Sequence, residues 1–455
     1  MNLRLTRHVI NAKIENNCII RQDKFSSELN SEYLFKNKSS SKHLIVGVSG
    51  GPDSMLLSHL LKKHSEDFGL SITAVIINHK LRTISNKEAQ LTKNRLENIG
   101  LETIILNLNK YYKNTGIQEW ARFERLNALS CFAKSKGGIL LLGHHLNDQV
   151  ETIYMRLTKG TGVWGACGIK PISSWYGTSV IRPLLYYSKE TILNTCKENL
   201  IKYVHDETNS NEKFERVRVR NLINKIQDKK NFIKNINNFS FYIRKICEKV
   251  DHKINEICDV HFPIFDLGWS NIDISVLAFL NKDISLRILL LIIKTIGGGR
   301  YYVKKNKVEK LLNHLISYQD NPFIMPGRTL GGCKIFYRKK RISIVRWSKE
   351  NIENKEMPEI GNLNFDNRWE IFSRKKIKFG YLQNFKISQK ENKILKKIDI
   401  PYEVWRYIPV NIDSINFEKL VFKLDVSTSN NHLIYINIFI SFLKSSYNIS
   451  LKFLK

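Results

Sequence analysis

Short runs of apolar residues alternate along this chain with longer stretches whose apolar positions recur every three or four residues. Leu44, Ile45, Val46 and Val48 read as a short buried strand, broken only by Gly47. After a turn, Met55, Leu56, Leu57, Leu60 and Leu61 recur at helical spacing, so a helix opens near Asp53 or Ser54. Residues 72–77 form a second buried run, 102–108 a third and weaker one, 139–142 a fourth and 180–185 a last. Helical patterns lie between them, at 117–136 and 188–199, the latter with Ser188 as N-cap. This alternation predicts an α/β domain with a doubly wound parallel sheet over residues 42–214.

The rest of the chain reads differently. Residues 1–41 are a polar N-terminal extension with room for one helix. Residues 215–347 make a mainly helical middle domain that ends in a hairpin at 333–347. The hairpin turns around Arg338, Lys339, Lys340 and Arg341. Gly297, Gly298 and Gly299 follow a helix rather than a strand, so they read as a helix stop and not as a phosphate loop. Residues 348–358 are a charged linker. Residues 359–455 make a small α+β C-terminal domain, with a basic strand pair at 369–378, a helix at 387–397 and an ambiguous stretch at 433–443.

Charge narrows the partners. Of 455 residues, 73 are Lys or Arg and 42 are Asp or Glu, a net of +31, far beyond what solubility needs. Such an excess points to a polyanion, nucleic acid before membrane. Basic residues mixed with Trp and Tyr in the last third have the composition of an RNA-reading surface, and the C-terminal domain is the expected tRNA-binding part. The longest apolar run, at 288–293, is too short to span a bilayer. The seven cysteines are scattered and none forms CxxC, which argues against a zinc ribbon or an iron–sulfur cluster and fits a reducing cytoplasm.

The chemistry gathers at strand ends. Ser49-Gly50-Gly51-Pro52-Asp53-Ser54 joins a strand to a helix N-terminus, where free N–H groups and the dipole's positive end attract a phosphate. There is no Gly-Lys-Ser/Thr ending, so this is not a Walker loop. Asp53 beside a phosphate cradle needs a cation such as Mg2+ between them. Gly143-His144-His145-Leu146-Asn147-Asp148 again places His and carboxylate at a strand's C-terminal end. Adjacent histidines point apart and lack a third ligand at the right spacing, so a hydrogen-bonding or proton-handling role is favoured over zinc. Arg122 and Arg125 share one helix face, and Arg216, Arg218 and Arg220 fan around a helix start behind a polar loop at 203–209.

These motifs carry a resemblance. The SGGPDS turn is similar to the SGGxDS loop of the N-type ATP pyrophosphatases (PP-loop enzymes). NHKLRTISNKEA at 78–89, HHLNDQVET at 144–152, RLTKGTGVWG at 156–165, RPLL at 182–185 and the arginine-rich stretch at 206–220 resemble the tRNA(Ile)-lysidine synthetase family within that superfamily. The resemblance spans about residues 42–409 and is strongest in the first domain. It implies ATP-dependent ligation of free L-lysine to C2 of the wobble cytidine of a CAU-anticodon tRNA(Ile). The route runs through an adenylated cytidine and releases AMP and pyrophosphate.

The roles implied follow residue by residue. Ser49, Gly50, Gly51, Pro52, Asp53 and Ser54 would bind ATP, with Mg2+ held near Asp53. Asp148 would hold lysine or metal, His144 would handle the proton and Arg216 would neutralise phosphate. Arg122, Arg125, Arg218, Arg220, Arg338, Lys339, Lys340 and Arg341 would meet phosphate or tRNA. Asn147 stands where the family motif has its first acid. If that acid binds substrate or metal, the site is weakened; if Asp148 carries the work, little is lost. Two alternatives stay open, a tRNA thiolase of the same superfamily and a tRNA-binding homologue of weakened activity. The oligomeric state is open, a homodimer among the arrangements.

Overall fold

The computed structural model describes residues 19–30, 43–78, 85–108, 117–175, 177–204, 212, 214–265, 267–299, 302–339, 341–348, 354–356, 361–366, 368–373, 378–384, 400–411 and 450–453. The expected helix at 387–397, the stretch at 433–443, Lys340, the cluster at 79–82 and the loop residues 205–211 lie outside them. The chain divides into two compact units, 1–248 and 249–455.

The first unit is built on a six-stranded sheet. Its strands are β1 (His43–Val48), β2 (Ser71–Asn78), β3 (Glu102–Asn107), β4 (Ile139–Leu142), β5 (Ile172–Trp175) and β6 (Thr178–Ile181), in the order β3-β2-β1-β4-β6-β5. All neighbours run parallel except the edge strand β5, which pairs antiparallel with β6. The expected doubly wound parallel sheet is therefore present. The polar sequence of β5, ISSW, hid it from the hydrophobic pattern.

Alternation along β1 sends side chains to two faces, and both are covered, as a parallel sheet requires. Leu44 and Val46 pack with Leu57 of the helix Pro52–Phe68, Leu96 of Ser85–Glu97 and Ile192 of Lys189–Glu198. Ile45 packs with Leu129 and Ala133 of the helix Ile117–Ser135 on the other face. Within the polar lead-in, the helix Gln22–Glu28 adds Phe25 to the first of these cores, at 2% exposure. The order reverses between β1 and β4. Open α/β sheets bind ligands at such a switch point, outside the strands' C-terminal ends. Residues 49–52 and 143–145 leave the sheet at that point.

The second unit holds a five-stranded antiparallel sheet. Its strands are β7 (Ile264–Phe265), β8 (Trp269–Ile272), β9 (Arg328–Leu330), β10 (Cys333–Arg338) and β11 (Arg341–Arg346), ordered β7-β8-β11-β10-β9. The hairpin is as expected: Arg338 pairs with Arg341, with Lys339 at φ +46°. Gly298 ends the helix Lys282–Gly297 at φ +63°, the helix stop that the triple glycine announced. The stretch expected to be mainly helical also contains β7 and β8, too short for a periodicity to register.

The strand pair expected at 369–378 is not a pair. Trp369–Ser373 joins Gly361–Phe365 and Ser450–Phe453, while Lys378–Tyr381 joins Lys355–Glu356 and Pro409–Asn411 in a separate sheet. Local alternation marks a strand but does not choose its partner. Among the described aromatics of this region, Trp369, Tyr381, Trp405 and Tyr407 are buried together, while Tyr402 is exposed. Those four are unavailable for stacking on bases.

Candidate active site

The glycine turn is braced from within. Ser54 Oγ accepts the Ser49 N–H at 3.1 Å and donates to the Gly51 carbonyl at 3.1 Å. Ser54 is therefore committed to holding the loop, and the side that stays open lies along Gly51. Gly50 sits at φ +83°, and a Cβ there would meet Thr92 Oγ1 at 2.6 Å, so only glycine fits. The Gly50 carbonyl accepts the Val204 N–H at 2.8 Å, which ties the turn to the chain that follows the helix Lys189–Glu198. The helix begins at Pro52, one residue before the expected start, with the fixed φ of proline suited to a first helical position.

Opposite the turn, Gly143 lets β4 approach it. A Cβ at Gly143 would lie 3.0 Å from the carbonyl carbon and oxygen of Asp53 and 3.2 Å from the Ser54 nitrogen. Gly143→Ala is accordingly expected to displace Asp53 by a few tenths of an ångström. The expected result is a fall in kcat of about tenfold, against about a hundredfold for a 1 Å misplacement. Steady-state kinetics alongside an unchanged melting temperature would check it, and an unchanged kcat would count against the close approach.

The helix Leu146–Thr158 starts immediately after β4. Asp148 Oδ2 accepts the His145 N–H at 3.0 Å, closing its first turn. His145 is buried and lies between two carboxylates, with Nε2 3.7 Å from Asp53 Oδ1 and 3.5 Å from Asp148 Oδ2. Of the two histidines, it is thus His145 that faces Asp53. His144 Nδ1 is buried without a hydrogen-bond partner among the described residues. Burial first, then Arg182, Arg122 and Arg125, hold its pKa well below the usual histidine value despite Asp148. His144 is therefore a neutral imidazole at pH 7.

The helix Glu215–Asn224 brings in the arginines. Leu146 and Val150 pack against Val219 and Ile223, and this contact sets one helix's charges against the other's. Arg216 donates from Nη2 to Asp148 Oδ1 at 2.5 Å and from Nε to Glu151 Oε2 at 2.6 Å. Arg220, one turn on, donates from Nε to Glu151 Oε1 at 2.7 Å. Arg218 turns the other way and donates to the Glu212 carbonyl at 3.0 Å. Residues four apart share a helix face and residues two apart do not. Burial works against ionisation of Asp148, but His145, Arg216 and the His145 N–H outweigh it and keep its pKa below the carboxylate range.

Arg122 and Arg125 complete the positive wall. Water reaches Arg122, but the surrounding protein thins that solvent, and this, with the like charges of Arg216 and Arg125, lowers its pKa to about 10. Burial and Arg216 lower that of Arg125 as well. The pair therefore adds to a concentration of positive potential centred on Arg216. Arg182, of the RPLL motif, donates to the Lys170 carbonyl and to Ser173 Oγ, both at 2.9 Å, and so fastens β5. Lys339 and Arg341 are exposed on the hairpin of the second unit.

Several site residues were not singled out from the sequence. Lys189 Nζ pairs with Asp53 Oδ1 at 2.5 Å. Glu151, with its side chain 3% exposed, holds two arginines. Ser188 was read as a helix cap, and the helix that it caps delivers Lys189. The HHLNDQVET motif did contain Glu151 and His145, whereas nothing local to Lys189 distinguished it from the other lysines of the chain.

Mg2+ characteristically takes one or two carboxylates together with substrate phosphates and water. Asp53, paired with Lys189 beside an open glycine turn, offers one such carboxylate, and no cluster of three ligating side chains occurs among the described residues.

Known proteins support the same reading. A family model described as a PP-loop domain matches residues 23–226. The chain is 30% identical over 331 residues to the tRNA(Ile)-lysidine synthase of Wolbachia pipientis wMel, covering 71% of this chain and 74% of that protein. It is 29% identical to the protein of the same name from a Wolbachia of Brugia malayi, covering 80% and 85%. It is also 29% identical to that of Clostridioides difficile strain 630, covering 74% and 72%.

Proposed function

The chain belongs to the tRNA(Ile)-lysidine synthase family, and from that membership we propose that it is a ligase that joins free L-lysine to C2 of the wobble cytidine in a CAU-anticodon tRNA(Ile). The C2 oxygen attacks the α-phosphate of ATP, pyrophosphate leaves, and the ε-amine of lysine then attacks C2 and expels AMP. The observation that carries this reading is the meeting of two charged groups at the switch point. Asp53 and Lys189 stand at the glycine turn, and Asp148, Glu151, Arg216 and Arg220 stand beside them.

The first group suits the departure of pyrophosphate. Amides of the turn and the ammonium of Lys189 face the charge that grows as the bond breaks, at about 3–4 kcal/mol per well-placed donor. Mg2+ bound by Asp53 would supply further neutralisation of the phosphates. The second group suits lysine and the base. Asp148 offers a carboxylate to the lysine ammonium, in competition with Arg216. His144 is the proposed proton handler; its lowered pKa leaves it free to accept a proton but means that it holds one only in passing. Arg122, Arg125 and the remaining N–H groups of Arg216 face the phosphates.

The thiolase alternative is weaker. Cys196 lies at the turn, its Sγ 3.7 Å from the Pro52 carbonyl, but burial and then Asp53 push its thiol up to about 11. A thiol protonated at neutral pH is a poor sulfur carrier.

No helix among the described residues is long and apolar enough to cross a membrane, and we place the reaction in the cytoplasm, where tRNA and ATP are found. Purified protein incubated with radiolabelled lysine, ATP, Mg2+ and a CAU-anticodon tRNA(Ile) transcript is expected to label the tRNA only when ATP is present. No label, beside a working control enzyme, would overturn the reading. The net charge of +31 further predicts that tRNA affinity falls about a hundredfold or more between 50 and 200 mM salt. A flat response in a filter-binding series would contradict it.

A further inference from the structure

We infer that Asn147 is a positioning residue for the pyrophosphate half of the site, acting through Lys189. The inference rests on the reading of the Ser49–Ser54 turn as the place where pyrophosphate leaves.

Asn147 and Asp148 are neighbours on one helix, and neighbours there point about 100° apart. Asp148 turns to Arg216. Asn147 turns away from it, and its Oδ1 accepts the backbone N–H of Lys189 at 2.9 Å. Lys189 is the first residue of its helix, whose opening N–H groups have no partners within the helix. Ser188 Oγ takes the N–H of Thr191 at 3.1 Å, and Asn147 takes that of Lys189. Asn147 is thus a cap lent by one helix to another. Alongside it, the Leu146 N–H donates to the Tyr187 carbonyl at 2.9 Å. These two bonds fix the Lys189 backbone against the helix that carries Asp148, and from there Nζ reaches Asp53.

Two adjacent residues therefore serve different halves of one site. Asp148 needs its charge, for Arg216 in the free protein and for lysine in the reaction. Asn147 needs only an acceptor oxygen at a fixed distance. An amide meets that need without placing a further carboxylate beside Asp53, Asp148 and Glu151. A carboxylate would meet it too, so asparagine in place of an acid leaves the function of the position intact.

The test is a mutant cycle on the full chain. Asn147→Ala is expected to lower kcat for lysine attachment about five- to tenfold and to weaken ATP binding about fivefold. The KM for lysine and the tRNA affinity should stay near wild type, and the melting temperature should fall by no more than about 2–4 °C, as for loss of one helix cap. Asn147→Asp should hold both values within about twofold, and Asn147→Gln, which moves the amide outward by one methylene, should lose as much as alanine. With Lys189→Ala already present, Asn147→Ala should cost less than about twofold more, because both changes remove the same contact. Full additivity of the two losses would overturn the inference. So would a raised KM for lysine with kcat and ATP affinity unchanged. If the wild type binds ATP but attaches no lysine, the proposed reaction falls, and the ATP affinities of the variants still decide the role of Asn147.

Discussion

Replacing Asp53 by alanine is expected to reduce ATP-dependent attachment of lysine by about a thousandfold while leaving tRNA affinity within about twofold of wild type. The carboxylate has two partners in the free protein, Lys189 Nζ at 2.5 Å and His145 Nε2 at 3.7 Å. The lysine is cationic, which marks the spot as one where negative charge is stabilised. When ATP arrives, its phosphates bring far more negative charge to the turn, and the carboxylate becomes repulsive unless a divalent cation bridges the two. Asp53→Ala takes away the residue that would hold such a cation and also leaves Lys189 without its resting partner. Asp53→Asn keeps the shape but not the charge, and is expected to lose nearly as much. Rapid-quench measurement of pyrophosphate release separates the adenylation step from lysine attack, and the loss should appear in the first. A loss of tRNA binding equal to the loss of activity would show instead that Asp53 serves the fold.

The second large effect concerns stability. Glu151→Ala is expected to cost about 3–5 kcal/mol, because removing one member of a buried ion pair leaves its partners' charges uncompensated. Glu151 lies beneath Arg216 and Arg220, and its two oxygens take an N–H from each at 2.6 and 2.7 Å. The arginines are partly open to water, with side chains 29% and 38% exposed, so the lower end of that range applies. A fall in melting temperature of about 6–12 °C follows for a unit of this size. Glu151→Gln keeps the volume and an acceptor and should cost roughly half as much. Denaturant unfolding of the three proteins at neutral pH checks the series. A melting temperature within about 2 °C of wild type for Glu151→Ala would mean that water already compensates the arginines.

The same cluster shows how far local sequence reaches. The strand, the glycine turn and the helix start at 44–57 were legible because backbone chemistry is local. Four apolar residues bury a strand, two glycines permit the close turn, and a helix N-terminus follows. Asp53, Asp148 and Arg216 were legible for a related reason. Acid, base and phosphate chemistry admit few residue types, and those types stood at strand ends and a helix start. The RPLL motif was visible too, but the work of Arg182 in fastening β5 was not.

What stayed hidden was every choice between neighbours. The sequence named His144 and passed over His145. Only packing sends His145 between Asp53 and Asp148 and half-buries His144 beside a positive wall. It offered Arg216, Arg218 and Arg220 as a fan, and the contact of Val219 and Ile223 with Leu146 and Val150 turns two of them inward. It mixed Trp and Tyr with basic residues in the second half, and folding divides those aromatics, burying Trp369, Tyr381, Trp405 and Tyr407 together while Tyr302 and Trp347 keep lysine or arginine against their rings.

Sequence alone thus determined the α/β class, the place of the switch-point loop and the kind of chemistry it supports, since these depend on periodicity, glycine and residue type within a few positions. The tertiary structure decided the pairings. Asp53 meets Lys189 across 136 residues and Asp148 meets Arg216 across 68, and no local preference encodes a contact made through space.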